Sequence, residues 1–108
     1  MLSRRLHLTS ALAVIAACIG CRKPSPEHGA ALFVKDCAGC HVQRPGQKSY
    51  VPSLTGYFDR KPKPTERQTR RIISYGGQYM PPFTKRLSSD DIDDLIAYLH
   101  TSGRHVEE

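Results

Sequence analysis

The stretch Cys37-Ala38-Gly39-Cys40-His41 decides how the rest of this 108-residue sequence is read. On a helical turn, residues three and four apart lie on one face. Both sulfurs can then reach the two vinyl groups of a single haem and form thioether links, while His41, one step on, presents its imidazole to the iron. This five-residue spacing is a haem-attachment signature. Ala38 and Gly39 are small and keep the turn compact where it meets the porphyrin edge. A Cys-x-x-Cys can also be a disulfide or a redox dithiol, but neither explains the adjoining histidine. Zinc would need a second pair of ligands, and the remaining cysteines, Cys18 and Cys21, belong to the N-terminal segment.

An iron held by one histidine has a second axial face to fill. The sequence holds two methionines, Met1 and Met80. Met1 leaves with the export segment described below, so Met80 is the thioether available to the mature protein. It lies in Gly76-Gly77-Gln78-Tyr79-Met80-Pro81-Pro82-Phe83, where glycines permit a tight backbone turn and two prolines stiffen the exit. A lone methionine is ordinarily core filling; beside a haem motif and on such a loop it reads as the sixth ligand. His28, His100 and His105 are rival ligands. They precede the haem helix or follow at the C-terminal end, and read as solvated.

The N-terminus has a different logic. Arg4-Arg5 precedes an apolar run from Leu6 to Ala17, too short to span a bilayer, which takes roughly 20 apolar residues. It reads as a secretory signal over residues 1–17. The run ends in Ile15-Ala16-Ala17-Cys18, then Ile19-Gly20-Cys21. Small residues before a cysteine at this point resemble the bacterial lipobox, with Cys18 favoured as the lipidated residue and Cys21 as the alternative. The alternatives are an uncleaved anchor or plain cleavage that leaves a soluble periplasmic protein. Residues 18–26 then form a lipidated N-terminus and linker, 27–103 the haem domain and 104–108 a polar tail.

Within the domain every regular element reads as helix. Ser25 caps, Pro26 suits the first helical position and Glu27 favours the positive helix end. Ala30, Phe33, Val34, Cys37 and His41 follow at helical spacing. Prolines and glycines punctuate loops from Gln43 to Pro64. Thr65-x-x-Gln68 is a capping box for a short helix that Gly76-Gly77 ends. Ser88 caps the last helix, Leu87 and Ile92 are spaced as a hydrophobic staple, and Ile92, Leu95, Ile96 and Leu99 form its apolar stripe before Gly103. The expected fold is all-α, three to four short helices with long loops around one covalent haem. The composition fits: with no Trp, three Phe and 39% hydrophobic residues, the side chains alone make a thin core that a buried porphyrin would complete.

These features together resemble a class I, mono-haem c-type cytochrome over Pro26 to Ser102. In that family a glycine and an aromatic on the first helix meet an aromatic on the last, and Gly29, Phe33 and Tyr98 match those positions. Asp94-Leu95-Ile96-Ala97-Tyr98-Leu99 is similar to the family's C-terminal helix. Pro52-Ser53-Leu54-Thr55-Gly56 resembles the loop whose proline carbonyl accepts the proximal histidine's Nδ1–H. The resemblance implies a haem-propionate role for Arg60, although Asp59 stands where the family more often has glycine.

The function this implies is electron transfer, one haem c cycling between Fe(III) and Fe(II) with no bond-making at the metal. A haem enzyme such as a peroxidase, or a gas or redox sensor that releases Met80, are the competing classes. Donor and acceptor would be redox proteins. Losing Arg4 and Arg5 on cleavage lowers the formal charge from +6 to +4, and Arg60, Lys61, Lys63, Arg67, Arg70 and Arg71 form a basic cluster. That cluster could steer docking onto an acidic partner surface or be a solvated face. Nucleic acid is no partner for an exported haem protein, and the membrane is reached through the N-terminal lipid.

Overall fold

In the computed structural model of the protein, the described residues are 22–42, 46 and 50–102. They form four α-helices, α1 (Pro26–Asp36), α2 (Ala38–His41), α3 (Glu66–Tyr75) and α4 (Ser89–Thr101), with a 3-10 turn at Tyr57–Asp59. No strand occurs among them, and none of the described helices is long and apolar enough to cross a membrane. Residues 1–21, and with them Cys18 and Cys21, lie outside the described residues, as do Gly103 and His105.

The caps act as the sequence predicts. Ser25 Oγ accepts from the His28 N–H at 3.1 Å, with Pro26 at the first helical position. Thr65 and Gln68 form a reciprocal capping box on α3, as Ser88 and Asp91 do on α4. Each satisfies helix-end donors that would otherwise lack partners. One difference concerns the first helix, which the sequence reads as continuous through His41. The backbone leaves helical geometry at Cys37 (φ −120°) and restarts as α2. The 3-10 turn, entered through Gly56 at φ +61°, interrupts the stretch expected to be loop.

The two helices from opposite ends of the domain cross, α1 against α4, at a point that admits no side chain. A Cβ on Gly29 would lie 2.0 Å from the Asp94 carbonyl oxygen and 2.9 Å from Tyr98 Cβ. Close by, the rings of Phe33 and Tyr98 meet with centroids 5.2 Å apart and tilted by 49°. Around this crossing the core gathers Phe33, Phe58, Ile73, Phe83, Leu87, Ile92, Leu95, Ile96 and Leu99. Leu87 and Ile92 are both buried, as a staple at the start of α4 requires.

Asp94 is fully buried, at 0% exposure, and fastens the segment preceding α1 onto α4. Its carboxylate accepts from the Ser25 N–H at 2.7 Å, the His28 ring nitrogen Nδ1 at 2.7 Å and both terminal nitrogens of Arg22 at 2.9 and 2.7 Å. Burial alone would raise its pKa, but the Ser25, His28 and Arg22 contacts outweigh burial and hold it below the ordinary carboxylate value. A buried charge is tolerated when it is paired and hydrogen-bonded in this way. Arg22 and Ser25, which the sequence reads as linker, are thus bonded to the domain. His28 and His100, read as solvated, both have partners: His100 stacks on Phe58 at 3.8 Å and bonds Glu66 at 2.8 Å.

Candidate functional site

The haem-motif residues straddle the junction of α1 and α2. The amides of Cys40 and His41 both turn back onto the Cys37 carbonyl, at 3.2 and 2.9 Å. This tight turn carries both thiols, and neither forms a disulfide. Burial, with the nearby Asp36 charge and Cys40 adding to it, pushes the Cys37 thiol up to about 11. A redox dithiol works through a cysteine of lowered pKa; Cys37 is shifted the opposite way. Among the described residues no group of three His, Cys, Asp or Glu gathers as a metal site would require.

His41 is oriented by the loop that follows. Its Nδ1 lies 2.8 Å from the Pro52 carbonyl oxygen, a contact that requires Nδ1–H as donor and leaves Nε2 unprotonated in the neutral ring. A hydrogen bond of this kind also raises ligand basicity. The cleft beside His41 has a mixed lining, apolar from Phe33, Val42, Leu54, Tyr98 and Leu99 and polar from Ser53, Thr55 and Ser102, so α1, the loop and α4 each present some hydrophobic surface to it. Thiols on one turn, an oriented imidazole and a cleft with apolar side chains on α1, the loop and α4 form a donor set and surface that fit covalent haem.

Met80 comes from a loop folded back on itself. The Gly77 N–H donates to the Met80 carbonyl at 3.0 Å, and the Phe83 N–H reaches the Ile73 and Ser74 carbonyls at 3.1 and 3.2 Å. Gly76 has φ +75°, and a Cβ there would fall 2.3 Å from the Met80 carbonyl oxygen, so only glycine permits this return. Met80 itself is partly buried against the hydrophobic core.

Two side chains that the sequence did not single out join the parts of this site. Asp36, its side chain only 3% exposed, bonds Arg86 at 2.7 Å, tying the end of α1 to the turn beyond Met80. Arg86 also lies over the Phe83 ring, 5.8 Å from its centroid. The adjacency of Asp36 to Cys37 is the one sequence signal that could have pointed to it. Of the basic cluster, Arg70 pairs with Asp93 and Arg60 bonds the Ser53 carbonyl. Lys61, Lys63, Arg67 and Arg71 remain exposed.

Residues 24–99 match the family model described as cytochrome c oxidase, cbb3-type, subunit III. No curated protein matches the chain in sequence. Among solved structures, the chain is similar to cytochrome c6 from the diatom Phaeodactylum tricornutum, with a TM-score of 0.58 and 28% identity, covering 73% of this chain and 94% of that one. Cytochrome c6C from Synechococcus sp. PCC 7002 aligns at a TM-score of 0.49 and 24% identity, over 70% of this chain and 95% of that one. A turn holding two thiols, a histidine fixed by a backbone carbonyl and an all-helical frame thus agree with the match across 24–99: the chain belongs to the family of cytochrome c oxidase, cbb3-type, subunit III, and is a c-type cytochrome that carries covalently bound haem c for electron transfer.

Proposed function

We propose that the chain carries single electrons with His41 and Met80 as the axial ligands, as an exported protein tethered to the membrane on its periplasmic side. The observation that carries this reading is the 2.8 Å contact between His41 Nδ1 and the Pro52 carbonyl, which commits one ring nitrogen and leaves the other for iron. Met80, on its glycine-closed return, packs against the same core. Haem c supplies the one-electron chemistry when bound. His41 and Met80 would hold its iron and Cys37 and Cys40 its vinyl groups, an arrangement suited to electron transfer; methionine with histidine also raises the potential.

Met80→Ala tests the ligation. The variant is expected to keep its covalent haem, lose the methionine–iron charge-transfer band at the red end of the oxidised spectrum and admit water or a stray histidine. Its reduction potential should fall by on the order of 0.1 V, axial ligands spanning about 0.8 V in all. An unchanged spectrum and potential would make Met80 core filling.

The exposed Lys61, Lys63, Arg67 and Arg71 favour a redox partner with an acidic surface, because complementary charge speeds encounter. For the tether, Cys18 is the proposed acylated residue and Cys21 the alternative. Arg22 is pinned on Asp94, and the four steps from Cys18 to Arg22 span at most roughly 14 Å fully extended. Several acyl chains on one cysteine anchor far more firmly than one. Changing Cys18 and Cys21 together to Ser should move the cytochrome from the membrane to the soluble periplasmic fraction. An unaltered protein that already fractionates as soluble, its N-terminus beyond Cys21, would refute the tether and leave the carrier reading intact.

A further inference from the structure

The carbonyl that fixes His41 has a neighbour that is itself held. Pro52 accepts from His41; the next carbonyl along, that of Ser53, accepts from the Arg60 guanidinium through Nη2. The same guanidinium lies over the Tyr57 ring, 5.1 Å from its centroid. The Tyr57 hydroxyl in turn shares a hydrogen bond with Thr69 Oγ1 at 3.2 Å, and Thr69 is buried on α3. A path of contacts therefore runs from a helix in the core, through Tyr57 and Arg60, to the peptide next to the one that orients the imidazole.

We propose that Arg60 is a positioning residue for the proximal histidine, acting on His41 through the Ser53 and Pro52 backbone while held between the Ser53 carbonyl and the Tyr57 ring. This rests on the reading of His41 as an axial ligand. It differs from the propionate role that the family resemblance implies, in which Arg60 would act on the haem directly by its charge. A planar guanidinium suits the task because it can stack on an aromatic face and donate from its edge at once; an ammonium cannot do both in that geometry. Holding Ser53 limits rotation of the adjoining peptide, and so keeps the Pro52 oxygen in line with His41 Nδ1–H. The strength of that bond sets how basic the imidazole is. A more basic imidazole favours Fe(III), so loosening the bond raises the reduction potential.

The sign separates the two roles. Arg60→Lys keeps the positive charge and gives up the stacked fork; Arg60→Gln gives up both. The experiment uses the purified holoprotein and reads two quantities: solvent exchange of the His41 Nδ1 proton by NMR in the reduced state, and the reduction potential. In both variants the proton is expected to exchange about tenfold faster, the effect of losing roughly one hydrogen bond's net contribution. The potential of the Lys variant should rise. Tyr57→Leu, which removes the stacking ring, should move both readouts in the same direction while leaving Arg60 in place. Unchanged exchange in all three variants, with a potential that falls in the Gln variant only, would overturn the proposal in favour of a direct charge effect. Failure of the underlying reading looks different: if His41 is no axial ligand, the unaltered protein itself lacks the ring-current-shifted imidazole signals of a haem-bound histidine, whatever stands at position 60.

Discussion

With Cys37 and Cys40 both replaced by alanine, the chain is expected to show no cooperative thermal transition. Among the described residues the buried apolar core consists of nine side chains, and the sequence has no tryptophan to add to it. Domains of this size rarely draw more than about 3–5 kcal/mol from such a core. The cleft beside His41 includes Phe33, Val42, Leu54, Tyr98 and Leu99 in its lining, and without haem their exposed apolar surface has only water to meet. Leaving apolar surface wet costs about 25 cal/mol for each Å², which cuts further into a margin that is already small. A sharp, denaturant-sensitive melt followed by circular dichroism in the alanine variant, of the size seen for the haem-loaded protein, would contradict this.

The second large effect is expected from one methyl group. Gly29→Ala puts a Cβ 2.0 Å from the Asp94 carbonyl oxygen and 2.5 Å from its carbonyl carbon. These are backbone atoms within a helix, so no rotamer change relieves the contact, and α1 and α4 must move apart. The separation draws Phe33 from Tyr98 and lengthens the bond from Ser25 to Asp94, both of which depend on the same crossing. Overpacking of a core typically costs 1–3 kcal/mol; a backbone-to-backbone clash belongs at the upper end, about 3 kcal/mol. For a domain this small that is a fall in melting temperature on the order of 15 °C. The haem-loaded variant, melted beside the parent, gives the comparison. A difference of only a degree or two would mean that the crossing has room to adjust.

Much of this was legible in the residues themselves, and the reason lies in the kind of signal. Ser25, the Thr65–Gln68 box and the Ser88 cap are local rules in which the side chain and its backbone partner lie within three residues. The Cys37–His41 spacing is equally local. The break at Cys37 was not legible, because the same apolar spacing suits one continuous helix or two; what differs is where the chain must turn to bring the thiols and His41 together. Nor were the partners of Asp94, Asp36 and Arg60. Arg22 meets Asp94, and Arg86 meets Asp36, across most of the domain, and charge alone does not say which acid a given arginine finds. The family resemblance pointed to the Pro52 carbonyl, which lies against His41 Nδ1, and implied a propionate role for Arg60, whose contacts with Ser53 and Tyr57 it did not point to.

The crossing of α1 with α4 also sets an order of events in making the protein. The helix that begins at Pro26 sets Gly29 and Phe33 against residues of Ser89–Thr101, and a chain is produced from its N-terminal end. Cys37, Cys40 and His41 are therefore made, and stand free, well before the helix that closes the molecule exists. Contacts between distant parts of a chain are also the slow ones to form. The thiols and imidazole thus belong to one local turn, available for covalent attachment before the long-range crossing forms, and Cys40 stays exposed even in the finished fold.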